Sequence, residues 1–254
     1  MSKRKLLSLV AGLVALMSCT QQKSFLDQET AEPSEWLPVP YDPESGVVTI
    51  NDVEPLFDFV RRRVDAVPPK GEFETTKQWE VRSGDHATIL APMRLDKTYL
   101  VSPRNSIFEY NADEQVYTLN THTNTASCFY QGGAYESFAC DFATRVGEDG
   151  VSGYDFHFLV DGNQLSVKEQ YRTQYLPRDC NVPLDQAPEL KEHLSMAYGF
   201  QLDKAEVRYG QIREFGYGPK KLYYRGIGIP ARLTHMVCFD ARTQNVIYQE
   251  SFLQ

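Results

Sequence analysis

Residues 154–171 read YDFHFLVDGNQLSVKEQY, and this stretch sets the expected fold class. Aromatic and aliphatic residues alternate with polar ones on either side of Asp161-Gly162, as is typical of β-strands. An Asp-Gly pair suits the centre of a type I′ turn, because both central residues of that turn need positive φ angles. The stretch therefore predicts a β-hairpin that joins strands Tyr154–Val160 and Gln164–Tyr171.

The same period of two extends outward from this hairpin over residues 73–175, where turn residues separate short runs rich in Tyr, Phe, Thr, Val and Ile. The runs predicted to be strands are Phe73–Arg82, Ala87–Pro92, Thr98–Val101, Ser106–Tyr110, Val116–Thr121, Ser127–Tyr130, Tyr135–Phe142, Tyr154–Val160 and Gln164–Tyr171. A later hairpin is predicted from Ala231–Phe239 and Asn245–Phe252. Since strands and helices do not alternate along this region, we expect an antiparallel sheet.

Two segments show helical features instead. In residues 52–67 the apolar side chains recur at helical spacing, and Pro68-Pro69 ends the pattern. In residues 185–198, Asp185 can cap a helix that ends before Gly199. The prediction is an α+β domain made mainly of antiparallel sheet, as a meander, a sandwich or a partly open barrel, with helices near 52–67 and 185–198.

The N-terminus carries basic residues at 3–5 and an apolar run over 6–17 that ends in Leu16-Met17-Ser18-Cys19. The run is too short to span a bilayer and has the layout of a secretory signal. With Cys19 it resembles the lipobox of bacterial lipoproteins. The resemblance implies cleavage before Cys19 and acyl chains, such as palmitate, on that residue. Thr20, where Asp signals inner-membrane retention, implies an outer-membrane anchor facing the periplasm.

Cleavage there removes residues 1–18 and their three basic side chains, which leaves 236 residues with a formal net charge of −11. This acidic balance argues against nucleic acid as a partner. Residues 19–45 are rich in proline and carboxylates, so we expect a flexible lipid-anchored linker. Its apolar residues from Trp36 to Tyr41 are expected to dock on the domain, although a short recognition segment is the alternative. Residues 46–254 then form a single α+β domain.

The cysteines that remain after Cys19 are even in number, which in an exported chain predicts two disulfides with three alternative connectivities. These cysteines are Cys128, Cys140, Cys180 and Cys238. We favour the pairs Cys128–Cys140, which brackets a Gly132-Gly133 turn, and Cys180–Cys238. The chain lacks a CxxC motif and a Cys-His group at zinc spacing, so we predict neither a metal site nor a cofactor.

Catalytic motifs are absent from the sequence: it contains no GxSxG, HExxH, P-loop or GxGxxG pattern. The five histidines are scattered, and His157, between Phe156 and Phe158, is expected to face solvent. Carboxylates in predicted strands could meet in a cleft, but surface solubility is the simpler interpretation. These carboxylates are Glu109, Asp141, Asp155 and Glu169. We therefore predict no catalytic residue.

Residues 204–232 are the most unusual part of the chain, with a local charge of +5 and interleaved tyrosines and glycines. Guanidinium groups pair with carboxylates or phosphates and aromatic rings stack on other rings, so this segment is a candidate anion-binding or partner-binding surface. The candidate residues are Arg213, Lys220, Lys221 and Arg225. The alternative is a pair of twisted strands whose basic side chains simply face water.

These features favour a non-enzymatic binding module of the bacterial cell envelope, attached to a membrane through its lipid. Its expected partner is an envelope protein or a cell-wall component. A small-molecule-binding barrel or sandwich is the alternative, and a peptidoglycan or glycan hydrolase is a third hypothesis, which needs two carboxylates at a defined separation.

Overall fold

The computed structural model describes residues 36–103, 107–120, 127–130, 138–146, 152–160, 166–167, 173–215 and 222–253. Within these residues the helices are α1 Val53–Asp65, α2 Thr76–Ser83, α3 His86–Leu90 and α4 Ala187–Leu190. The strands are β1 Tyr99–Val101, β2 Phe108–Asn111, β3 Val116–Leu119, β4 Ser127–Tyr130, β5 Phe138–Val146, β6 Ser152–Val160, β7 Ser166–Val167, β8 Thr173–Tyr175, β9 Asp179–Asn181, β10 Leu194–Leu202, β11 Arg208–Phe215, β12 Leu222–Asp240 and β13 Val246–Ser251. The fold is α+β and mainly β, as predicted.

The strands form one large sheet and one small one. The large sheet has the order β1-β10-β12-β6-β5-β4-β8-β7, and β11 and β13 pair with β12 as well. The small sheet has the order β2-β3-β9. Neighbouring strands are antiparallel except for β6 and β12, which run parallel. Over the described residues the large sheet does not close into a barrel.

Strand β12 organises the large sheet because its two halves have different neighbours. Residues 223–230 lie beside β6, and the same half pairs with β11 on its other edge. Residues 231–240 pair with β10, and β13 lies on the opposite edge. Pro230 stands at the change of partners, where its carbonyl accepts a hydrogen bond from the Asp203 N–H at 3.1 Å. A proline fits there because it has no N–H to leave unpaired.

The main core lies between α1 and the large sheet and is rich in phenylalanine. The ring of Phe57 on α1 meets Phe156 and Phe158 edge-on, with ring centroids 5.2 and 5.1 Å apart. Phe158 stacks on Phe200 of β10 at 4.2 Å. Aromatic pairs of this kind contribute about 0.5–1.5 kcal/mol beyond the burial of their surface. The predicted helix over 52–67 is thus confirmed as α1, held down by aromatic packing.

The second predicted helix, 185–198, is wrong over most of its length. Only Ala187–Leu190 is helical, and the following residues enter β10, a strand in the interior of the large sheet. Seven of the nine β10 residues are buried, including neighbours on opposite faces. A strand buried on both faces has no polar–apolar alternation, so its sequence pattern resembles that of a buried helix.

Two predicted strands, Phe73–Arg82 and Ala87–Pro92, are also wrong, because these residues form α2 and α3. Local capping explains the difference. The Thr75 hydroxyl accepts a hydrogen bond from the Gln78 N–H, and the Gln78 side-chain oxygen accepts one from the Thr75 N–H, which is a capping box. None of the α2 residues is buried. The alternation of apolar and polar residues in this segment therefore does not correspond to a face that packs against the core.

The two predicted hairpins have different outcomes. The turn Asp161-Gly162 lies outside the described residues, and β6 pairs with β5 and β12 while β7 pairs with β8. The pairing predicted from that turn is therefore wrong for the described strands. The later hairpin is confirmed as β12–β13. In its turn the Arg242 guanidinium and backbone N–H donate to the Asp240 carboxylate, which holds the pKa of Asp240 down at about 2.

One disulfide is present among the described side chains. Cys180 of β9 is bonded to Cys238 of β12, as predicted, and joins the small sheet to the large one. The backbone register of β4 and β5 places Cys128 directly opposite Cys140. Their pairing stays a prediction.

The segment 36–51 lies across the edge of the large sheet, so contacts with the sheet begin before the predicted domain boundary at residue 46. Tyr41 is buried, its N–H donates to the Thr98 carbonyl at 2.8 Å, and its ring meets His235 edge-on. The Asn51 N–H donates to the Leu100 carbonyl and covers the β1 edge. No helix among the described residues combines the length and apolar character needed to cross a bilayer.

Candidate binding surface

The four predicted anion-binding residues are distributed unevenly in the structure. Lys220 and Lys221 lie outside the described residues. In the β11–β12 register Arg213 stands opposite Tyr224, whereas Arg225 stands opposite Ile212, one position away. Adjacent positions of a ladder alternate between the two faces of a sheet. Arg225 is exposed and makes no hydrogen bond or ion pair with the described residues, so it is the basic residue on which a site can be built.

Arg225 belongs to a row of polar side chains that crosses three neighbouring strands. In register, Arg145 of β5 stands opposite Tyr154 of β6, and Tyr154 stands opposite Arg225 of β12. Neighbouring strands lie about 4.8 Å apart. Phe156, two residues beyond Tyr154, points from the same face into the core against α1. The row therefore continues the helix-facing side of the sheet outward into solvent, where Tyr154 is 43% exposed.

Two further tyrosines border Arg225. Tyr223 precedes it by two residues on β12, which places both on one face, and its side chain is 40% exposed. Tyr209 of β11 is 45% exposed, and its hydroxyl lies close enough to Tyr154, Arg225 and Asp65 to interact with them electrostatically. We call Tyr154, Tyr209, Tyr223 and Arg225 the tyrosine–arginine surface.

The hydroxyl of Tyr209 is held in its protonated form. Partial burial raises the pKa of Tyr209, and the negative charge of Asp65 raises it further. A protonated phenol both donates and accepts hydrogen bonds. The surface thus presents aromatic faces, hydroxyl groups and a guanidinium.

A clamp between α1 and β5 fixes one end of the row. Arg145 donates from Nη1 to Asp58 Oδ2 and from Nη2 to Asp58 Oδ1, both at 3.1 Å, and its Nε lies 3.6 Å from Glu54 Oε2. Arg61 donates to Asp58 Oδ1 at 3.1 Å. Burial raises the pKa of Asp58, but the hydrogen bond from Arg145 and the two cations outweigh it, so the pKa lies below its usual value. This geometry orients Arg145 beside Tyr154.

Part of the charge of the predicted basic segment is paired with its own acid, Glu206. Glu206 pairs with Lys204 and with Arg208, at 2.5 Å in each case. Arg232 donates to the Gln201 side chain at 3.5 Å. Together with the Arg145 clamp, these contacts leave Arg225 as the described cation of this surface without an acidic partner. Among the described side chains of this surface, Arg225 is therefore the positive charge available to a ligand.

The described candidate carboxylates are divided between the two sheets. Glu109 accepts from the Asn120 amide at 2.6 Å in the small sheet, whereas Asp155 lies in the large one. Asp141 stands opposite His157 in register, and Glu169 lies outside the described residues. The described residues hold no group of three His, Cys, Asp or Glu that could bind a metal ion. Glu109 therefore stands on a different sheet from Asp141 and Asp155, which lie on the paired strands β5 and β6.

His157 corrects one expectation. It does face away from Phe156 and Phe158, but it is only 3% exposed rather than facing solvent. Its ring lies against Gly226, where an added Cβ would stand 3.0 Å from Nε2. The expectation failed because this sheet is buried on both faces at that point.

An open groove of about 340 Å³ lies at the start of α1 and is lined in part by Asn51, Ser102 and Phe142. Its uncharged polar side chains are engaged in the fold. Asn51 accepts from the Val39 N–H at 2.7 Å and donates to the Val39 and Leu100 carbonyls, and Ser102 donates to the Met196 carbonyl at 2.5 Å. The groove is less suited to a polar ligand than the tyrosine–arginine surface.

No protein-family model, curated protein or solved structure matches this chain. The functional conclusion therefore rests on the surface itself. Sequence reasoning found Arg225 but missed Arg145 and Tyr154, because their position beside it depends on strand pairing. The one local signal was the run from Tyr154 to Phe158, whose alternation places Tyr154 on the same face as the two phenylalanines.

Proposed function

We propose that this protein is a cell-envelope lipoprotein that binds an envelope partner without catalysing a reaction. The lipobox-like stretch ending at Cys19 supports the membrane anchor, on the outer membrane facing the periplasm. The tyrosine–arginine surface supports the binding role and is the single observation that carries it. Exposed tyrosines and an arginine are the residues that most often dominate binding energy at interfaces.

Rigidity makes this surface suited to recognition. Its residues stand on strands, and the row is continuous with the buried Phe156 and with the Arg145–Asp58 clamp. Side chains held on paired strands lose less conformational freedom on binding than side chains on loops. The partner would be a cell-wall component or an envelope protein with a carboxylate for Arg225 and flat surfaces for the tyrosines.

The experiment compares the full chain with two variants in bacterial envelope fractions. A Tyr154→Ser/Arg225→Gln double variant is expected to stay in the membrane fraction but to lose its retention on detergent-washed cell-wall material or its crosslinks to envelope proteins. Arg232→Gln, on the same strand but away from the surface, is the matched control. Equal retention of wild type and the double variant would refute the binding role.

The anchor is tested separately. Cys19→Ala is expected to move the protein from the membrane to the soluble periplasmic fraction and to abolish incorporation of labelled fatty acid. A wild-type protein that carries no lipid label, with membrane association unchanged in the variant, would refute the anchor.

A further inference from the structure

We infer that the tyrosine–arginine surface binds a carboxylated sugar, with the carboxylate on Arg225 and the sugar ring against Tyr154 and Tyr209. This inference rests on the binding function proposed above and names the ligand class of the same surface. Its ligand chemistry follows from the charge, the aromatic groups and the backbone pairing of the described residues.

The charge of the surface calls for a single carboxylate. Arg225 is exposed and has no acidic partner among the described residues. A guanidinium presents two parallel N–H donors that match the two oxygens of a carboxylate. Arg145 is not available for this role because Asp58 already occupies its two Nη groups.

A densely charged polyanion fits this surface poorly. Asp65 raises the pKa of Tyr209 and Arg61 and Arg225 lower it, so charges of both signs already stand beside the surface. The chain after residue 18 has a net charge of −11, which repels a run of phosphates at long range. Charges of both signs around Tyr209 suit a ligand whose negative charges are isolated.

The tyrosines supply the contacts for a sugar ring. Tyr154 and Tyr209 stand on β6 and β11, the two strands that flank β12, so their backbones are separated by about two strand spacings, or roughly 10 Å. The C–H groups of a pyranose carry partial positive charge and pack against the negative face of an aromatic ring. A tyrosine hydroxyl can exchange hydrogen bonds with sugar hydroxyls.

The backbone of this surface argues for a sugar over an acidic peptide. Residues 223–228 of β12 are paired with β6 on one edge and with β11 on the other. Extended peptides gain much of their affinity from main-chain hydrogen bonds at an open sheet edge. Among the described residues β12 has no open edge at Arg225, since β6 and β11 cover both of its edges, so recognition of a ligand by Arg225 falls to side chains, as a sugar requires.

The test titrates the full-length protein with four small probes while tyrosine and arginine side-chain resonances are followed by NMR. The probes are glucuronate, glucose, glucose 6-phosphate and N-acetylglutamate. Glucuronate is expected to bind at least about tenfold more tightly than the other three, because it alone offers both a carboxylate and a ring. The shifts should be centred on Arg225, Tyr154 and Tyr209.

The variants assign the binding to named side chains. Arg225→Gln is expected to reduce glucuronate affinity to that of glucose, Arg225→Lys to restore part of it, and Tyr154→Leu to weaken both sugars. Arg232→Gln should leave every affinity unchanged. Thermal melts will show that the exposed substitutions leave the fold intact.

Several outcomes overturn this inference. Equal or tighter binding of glucose 6-phosphate would indicate a phosphate site, and equal binding of N-acetylglutamate would indicate an acidic peptide. Glucuronate binding that survives Arg225→Gln, or that is absent in wild type, would also overturn it. If envelope retention still depends on Tyr154 and Arg225 in those cases, the sugar inference fails while the proposed function stands.

Discussion

Substitution of Gly199 by alanine tests whether the buried crossing of β1, β10 and β12 is as close as the structure shows. An added Cβ would lie 2.6 Å from Thr98 Cγ2, 3.1 Å from Thr234 Oγ1 and 3.2 Å from His235 Cβ. Thr98 is not free to rotate away, because its hydroxyl lies 3.0 Å from the Thr234 hydroxyl in a buried hydrogen bond. The new methyl group therefore meets packed atoms on several sides.

The expected cost follows from two opposing effects. Overpacking a buried site costs about 1–3 kcal/mol, while replacing glycine by alanine restricts the unfolded chain and returns about 0.4–1 kcal/mol. Gly199→Ala should therefore lower the free energy of unfolding by about 1–2 kcal/mol. The measurement is urea denaturation under non-oxidising, non-reducing conditions that keep the Cys180–Cys238 bond.

A second substitution makes this prediction specific. Thr98→Ser removes Cγ2, the atom nearest the new methyl group, and keeps the hydroxyl, so in the Gly199→Ala background it should recover part of the lost stability. Gly210→Ala is the control, since its nearest contacts, to Gly226, are at an ordinary 3.7 Å. The packing described would be refuted if Gly199→Ala were as stable as wild type. It would also be refuted if the Gly199→Ala/Thr98→Ser double variant lost as much stability as the two single variants together.

Three further predictions concern other sites. Burial lowers the pKa of His235 in the folded protein, whereas the pKa of a histidine in the unfolded chain is about 6.5. The unfolded state therefore binds the proton first as the pH drops, and the free energy of unfolding should fall below about pH 6.5. His235→Gln should flatten this pH dependence in denaturation curves, and an unchanged pH dependence would contradict the prediction. A double-mutant cycle of Arg145→Gln and Asp58→Asn should give a coupling of about 0.5–1 kcal/mol, because the pair is partly exposed; purely additive losses would show that the clamp does not stabilise the fold. Non-reducing peptide mapping should find Cys128 bonded to Cys140, since directly opposite residues of an antiparallel pair lie about 4.5–5.5 Å apart at Cα, within disulfide range; free thiols at both positions would exclude the bond.

Elements held by contacts close in sequence were predictable. Helix α1 has apolar positions at helical spacing and a Pro-Pro stop, and both signals lie within its own segment. The β12–β13 hairpin is closed by a turn in which Asp240 binds Arg242, two residues away. Cys180–Cys238 was predicted by elimination among four cysteines and is a contact over 58 residues.

Elements whose burial depends on distant strands were mispredicted. Residues 194–202 have no alternation because β1 and β12 flank β10 in the interior of the sheet and both its faces are covered. Residues 76–83 look strand-like in sequence, yet a capping box and the absence of any buried residue leave them as an exposed helix. In both cases the secondary structure depends on whether other elements of the fold pack against the segment.

The residues of the candidate surface were likewise predictable only where the signal is local in the sequence. The composition of residues 204–232 was enough to single out Arg225. Arg145 and Tyr154 come from parts of the chain about 70 to 80 residues away and reach Arg225 only through the β5–β6 and β6–β12 registers. Ion pairs also engage some of the basic side chains near this surface, since Asp58 pairs with Arg145 and Glu206 pairs with Arg208.

The sequence by itself therefore determined the β-rich class, α1 and the last hairpin and favoured the Cys180–Cys238 disulfide, because alternation, helical period and turn chemistry act locally and the cysteines are few. Only the tertiary structure decided that β6 runs parallel to β12, that residues 194–202 form an interior strand and that Arg225 stands among three tyrosines with no acidic partner among the described residues. Those features depend on which strands become neighbours, and strand pairing is set by packing across the whole domain rather than by any one segment.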